Sequence, residues 1–129
     1  RDSAIKIIKH HKDVFIKMAI IALFPEDKQN KFQHYIGKYA EEAKSFKAEG
    51  IIAAIRGMKN RKDRTSVLTS FKGNKLMISG IEDPLIPFSN SEKISIESQT
   101  KLFKVNSGHM SINENIDEIV TVMDLIGYL

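Results

Sequence analysis

Two residues in the second half of the chain have the types and the setting for acid–base chemistry. Asp83 lies in the loop Glu82-Asp83-Pro84, and His109 closes the loop Asn106-Ser107-Gly108-His109. Each loop follows a short apolar run that reads as a strand, residues 75–79 before the first and residues 101–105 before the second. In open α/β sheets, ligands bind beyond the C-terminal ends of the strands. If the two strands are parallel neighbours, both side chains emerge at one edge of the sheet. A carboxylate there accepts the proton on one ring nitrogen and fixes the tautomer, which leaves the other nitrogen free as a base. Singly, each loop has a plain explanation: Asp before Pro is a common turn, and a histidine after glycine is an ordinary surface residue. Together, in this order and after consecutive strands, they form a specific signal.

Other candidate features carry less. His10-His11 and His34 suggest a metal, but adjacent histidines on a helix point in different directions. No carboxylate or third histidine stands at the i+4 spacing of a helical zinc site, so no metal is expected. Arg56, Lys59, Arg61, Lys62 and Arg64 form a basic run without interleaved aromatics, which reads as a solvated connection rather than a nucleic-acid surface. The chain has no cysteine, which removes disulfides and thiolate metal sites and is compatible with a reducing cytoplasm, the expected location. The longest apolar run, from Met18 to Phe24, is far below the roughly 18–20 residues of a membrane span. With 42% hydrophobic and 28% charged residues, the 129-residue chain has the composition of a folded globular domain rather than a disordered one. Its net charge of +4 is too small to identify a partner.

The elements that must position Asp83 and His109 divide at about residue 62. Before it the chain reads as helical. Over residues 3–23 apolar residues recur at Ile5, Ile8, Val14, Phe15, Met18, Ile21 and Ala22, uninterrupted by Gly or Pro. Pro25 opens the next segment, where its missing N–H costs nothing. Between residues 28 and 47, Phe32, Tyr35, Ile36, Tyr39, Ala40, Ala43 and Phe46 follow helical spacing, and their aromatic stripe is expected to pack inward. Residues 50–58 read as a third, short helix. After a polar connection, Asp63 caps a helix running to about Phe71. Gly73-Asn74 then signals a turn into the first strand, residues 89–98 form a helix, and residues 101–105 form the second strand. Asn113 caps a final helix to Ile126, with Ile116, Ile119, Val120, Met123 and Ile126 on one face. Strands alternating with helices imply parallel pairing through crossovers, hence an α/β fold. Two parallel strands do not make an independently stable sheet. Further strands must come from residues beyond these or from a second copy of the chain.

Residues 75–87, Lys-Leu-Met-Ile-Ser-Gly-Ile-Glu-Asp-Pro-Leu-Ile-Pro, resemble the segment that carries the triad acid in α/β-hydrolase-fold enzymes. Residues 101–110, Lys-Leu-Phe-Lys-Val-Asn-Ser-Gly-His-Met, resemble the last core strand of that family with its triad histidine. Acid precedes histidine, as the family's chain order requires. Residues 53–58 and Asp63-Arg64-Thr65 are similar to the exit from a helical cap into the core. The resemblance implies a cap over residues 1–62 and the C-terminal part of an α/β core over residues 63–129, with Asp83 and His109 as acid and base of a triad. It further implies no cofactor and an apolar, ester- or lactone-like small-molecule substrate.

The Gly-x-Ser-x-Gly elbow that holds the family's nucleophile is absent from the sequence. The chain also opens on Arg1 inside what reads as helix, which points to missing residues upstream. It is therefore expected to be inactive alone and part of a complete hydrolase. The alternative is a non-catalytic module that pairs, as a homodimer for instance, through its exposed strand edge.

Overall fold

A computed structural model of the chain describes residues 2–125 and Gly127. It is mostly helical with one small parallel sheet, and it divides into two compact units. The first contains the chain up to Ala22 and Asp27–Lys62; the second contains Leu23–Glu26 and the chain from Asp63 onward.

The first unit is three helices: α1 (Asp2–Ile21), α2 (Gln33–Lys44) and α3 (Ala48–Lys59). Its centre is Ile8 from α1 packed on Ile52 and Ile55 from α3, with Ala4, Ile5, Phe15, Ala48 and Ile51 around them. Lys12 Nζ donates to the carbonyl oxygens of Lys44 (2.6 Å) and Phe46 (3.1 Å), which ties α1 to the end of α2.

The inward face of α1 differs from the one its periodicity suggests. Val14 and Met18 are exposed, and Ile16 and Ile20 are buried in their place. The inward stripe is Ala4, Ile5, Ile8, Lys12, Phe15, Ile16, Ala19 and Ile20, which keeps one helical phase past the non-helical backbone of His11 (φ −142°, ψ 53°); Val14 and Met18 fall outside it. Phe46 also departs from its expected stripe. It lies past the end of α2 and is exposed, whereas Phe32 is buried and Tyr35 and Tyr39 stack half-buried with ring centroids 6.1 Å apart.

The second unit runs α4 (Thr65–Ser70), β1 (Leu76–Gly80), α5 (Phe88–Ser98), β2 (Lys101–Val105), α6 (Ser111–Glu114) and α7 (Ile116–Leu125). Asp63 holds the first turn of α4, accepting from the backbone N–H (2.8 Å) and the hydroxyl (2.7 Å) of Thr65. β1 and β2 pair in parallel, in register from Leu76↔Lys101 to Gly80↔Val105, with α5 as the crossover. The inward residues of α5 are hydroxyl-bearing. Ser91 bonds Ser79 of β1 at 2.9 Å, and Ser98 bonds Thr100 at 2.7 Å, so each buried hydroxyl has a partner. Lys75 Nζ donates to the carbonyls of Leu68 and Ser98, joining the ends of α4 and α5.

The single helix expected from Asn113 to Ile126 is instead two, α6 and α7, broken at Asn115 (φ −153°, ψ 65°). Asn115, not Asn113, takes the capping place: its Oδ1 accepts from Glu118 N–H at 3.4 Å. On α7 Val122 is buried and Ile119 and Met123 are half-buried, but Ile116 and Val120 are exposed. Ile126 lies outside the described residues.

α5 ends on Gln99, whose φ of 53° places it in the left-handed region, and its N–H bonds the carbonyls of Ile96 and Ser95. Glycine adopts that conformation without a Cβ penalty. Gln99→Gly is expected to stabilise the protein by about 0.5–1 kcal/mol, read as a higher urea midpoint; an unchanged or lower midpoint would count against the strain at this cap.

Candidate active site

The parallel pairing puts the loops after β1 and β2 side by side, and backbone bonds lace them together. Ile81 N–H donates to Val105 O and Glu82 N–H to Ser107 O, both at 3.0 Å. This lacing depends on Gly80. A Cβ there would lie 2.4 Å from each of the carbonyl oxygens of Ser107 and Gly108, closer than real atoms approach. Only glycine lets the end of β1 lie against the turn that carries His109.

Asp83 and His109, which the sequence singles out, meet in this structure. His109 Nδ1 and Asp83 Oδ2 are 2.8 Å apart. The other carboxylate oxygen, Oδ1, accepts from the N–H groups of Leu85 (2.8 Å) and Ile86 (2.9 Å). Pro84 places those two amides in a tight turn around the carboxylate, so both Asp83 oxygens are used. The Asp83 side chain is 10% exposed and that of His109 32% exposed, which seats the carboxylate inside and leaves the imidazole at the surface.

Burial pushes the Asp83 carboxyl upward. The Ile86 amide, the His109 imidazole and the Leu85 amide together outweigh burial and hold it below its ordinary value of 3.8. At neutral pH Asp83 is therefore ionised and can only accept, so the proton of a neutral His109 sits on Nδ1. Nε2 then carries the free lone pair, and it has no hydrogen-bond partner among the described residues. This is the arrangement of a general base oriented by a carboxylate.

The turn 106–110 is held from beneath by two carboxylates that the sequence reading did not identify. Glu118 Oε2 accepts from Asn106 N–H at 2.8 Å, and Glu114 accepts from Gly108 N–H (Oε2, 2.8 Å) and Met110 N–H (Oε1, 3.1 Å). The break at Asn115 allows both acids to address the same turn. The available signal was two acidic residues, four apart, immediately after the Gly-His loop.

No hydroxyl is paired with His109 among the described residues. Ser107, two residues away, is fully buried and donates to Ser111 Oγ at 2.7 Å; Ser111 in turn donates to Gly108 O at 3.1 Å. Both serve the turn itself.

The remaining sequence candidates do not join this site. His10, His11 and His34 are exposed, and among the described residues no group of three His, Cys, Asp or Glu side chains is arranged to hold a metal ion. The basic run is solvated, with Lys59 paired to Asp2 at 2.8 Å. In the first unit a cleft of about 320 Å³ is lined by Lys9, Ala48, Glu49, Ile52, Ala53 and Arg56, and no residue of the aromatic stripe lines it. No described helix is long and apolar enough to cross a membrane. Compared with known proteins, the sequence matches no protein-family model and no curated protein.

Two outcomes test the site as a physical unit. Gly80→Ala is expected to destabilise the protein by about 1–3 kcal/mol, because the new methyl meets backbone rather than a side chain that can move; denaturant unfolding reads this. Because the folded-state pKa of Asp83 is depressed, its contribution is complete above 3.8 and is lost as pH falls through the lower folded value. Asp83→Asn is expected to flatten the acid limb of the stability–pH profile between about pH 5 and pH 2, while an unaltered limb would show that the carboxylate contributes nothing to folding.

Proposed function

We propose that Asp83 and His109 are the acid and base of a Ser-His-Asp-type triad, and that the chain is the C-terminal portion of an α/β-hydrolase-type enzyme acting on apolar ester or lactone substrates. The single observation that carries this reading is the 2.8 Å contact between His109 Nδ1 and Asp83 Oδ2 at the shared C-terminal edge of two parallel strands. A carboxylate held by two backbone amides, with an imidazole whose Nε2 is unengaged, is what a base for a hydroxyl nucleophile requires. In the proposed reaction Nε2 takes the nucleophile's proton as it attacks the carbonyl. It then returns that proton to the leaving oxygen, and Asp83 stabilises the imidazolium between the two steps.

The second unit supports a nucleophile on further sheet. Among the described residues of this unit, only Phe24, Val105 and Val122 are buried hydrophobic side chains, while Phe71, Ile86, Ile96 and Ile112 stand exposed. Parallel sheets are normally covered on both faces, and a two-stranded sheet is too small to stand alone. An added strand along β1 would supply both cover and a place for the elbow.

The test begins with the coding sequence upstream of Arg1, read for a strand, a Gly-x-Ser-x-Gly elbow and a helix. The encoded full-length protein is then assayed on p-nitrophenyl esters and lactones. His109→Ala is expected to lower kcat by about 10³-fold or more, and retained turnover would overturn the assignment. The two-stranded sheet also favours a second reading, a non-catalytic module that pairs through its strand edge. Dimerisation in light scattering, with no hydrolysis by the full-length protein, would select it.

A further inference from the structure

We infer that Glu114 is a positioning residue for His109, gripping the backbone on either side of it so that the imidazole faces Asp83 in one tautomer. The inference rests on the triad reading above and concerns a residue that takes no part in the chemistry itself.

The geometry is specific. One carboxylate oxygen accepts from Gly108 N–H at 2.8 Å and the other from Met110 N–H at 3.1 Å, so the two bonds straddle the Cα of His109. A backbone with an amide fixed before and after a residue has little freedom to swing its side chain. The clamp also explains Gly108: a Cβ there would lie 2.8 Å from Glu114 Oε1 and 2.6 Å from Pro25 Cδ. Glycine thus leaves room for both the carboxylate and the Pro25 ring against the turn. Glu114 itself is placed as the last residue of α6, where the chain breaks at Asn115. Asn115 Nδ2 bonds Glu118 Oε2 at 2.7 Å, linking the second carboxylate to the same turn. A hydrogen bond to an ionised acceptor is about twice as strong as a neutral one, so two of them outlast the neutral serine contacts that also hold the turn.

The test is histidine-ring nitrogen NMR on the chain, in wild type and in Glu114→Ala and Glu114→Gln. The wild type is expected to show His109 protonated on Nδ1 and bare on Nε2. Glu114→Ala should keep a cooperative unfolding transition but lose that single tautomer, whereas Glu114→Gln, which keeps one acceptor oxygen, should retain part of it. If Glu114→Ala does not fold, the Gln variant alone decides. In the full-length protein Glu114→Ala should lower kcat by about 10²-fold at unchanged KM, the cost of a displacement near 1 Å. Unchanged His109 tautomer in every folded variant overturns the positioning role and leaves the triad reading standing. A wild-type His109 that is bare on Nδ1 overturns the dyad, and this inference with it.

Discussion

The approach of β1 to the turn after β2 is the constraint from which the rest of the second unit follows. Parallel pairing brings the ends of the strands together, but it does not by itself bring the loops beyond them into contact. That requires a residue at the end of β1 with no side chain, because Ser107 and Gly108 present carbonyl oxygens where a Cβ would stand. With Gly80 in place, Ile81 and Glu82 donate into the neighbouring chain, and the course of the backbone toward Asp83 is set. Three residues after that glycine, the carboxylate reaches His109 with no further rearrangement.

The turn bearing His109 is irregular, so its amides have no ladder to join, and unpaired buried amides are costly. Carboxylates fill that need. Glu114 and Glu118 take three of the turn's N–H groups, and Asp83 takes two more from its own loop. Five backbone donors therefore end on three side-chain acids, and each acid is tied to a position that irregular backbone would otherwise leave loose. The depressed carboxyl of Asp83 is the electrostatic counterpart: its amide donors and the imidazole favour the ionised form against the burial that opposes it.

The pairing of the two strands and the meeting of Asp83 with His109 were legible in the sequence, because both depend on local signals. Short apolar runs, a Gly-x-x-Asp-Pro turn and a Gly-His loop each act over a few residues. The inward faces of the helices were less legible. Apolar residues of α1 fall on two overlapping stripes, and the one through Ile8, Ile16 and Ile20 goes in while Val14 and Met18 stay out. The split of the last helix was hidden for a different reason. Asn113 and Asn115 both offer a cap, and only Asn115 stands three residues before Glu118, from whose N–H it accepts. The break also answers to the amides of a turn up to twelve residues earlier, to which Glu114 and Glu118 are drawn. Glu114 was missed on the same ground, since its partners are backbone groups that no residue type announces.

Under the proposed function, the apolar surface of the second unit and its polar site serve one purpose. A hydroxyl nucleophile approaching Nε2 has to come from the open side of the imidazole, since Nδ1, both Asp83 oxygens and both turn serines are already engaged. The same unit leaves Phe71, Ile86, Ile96 and Ile112 in water. Full burial of a side chain of this size is worth about 1.5–3 kcal/mol, and these, roughly half to three-quarters exposed, forgo the corresponding share of it. A strand joined to β1, with its own helices, would recover part of that energy and reach the sheet edge where the imidazole waits. Under the proposed function, the energy of completing the sheet and the geometry of completing the triad are therefore supplied by the same association, which accounts for a base built so fully around an unoccupied nitrogen.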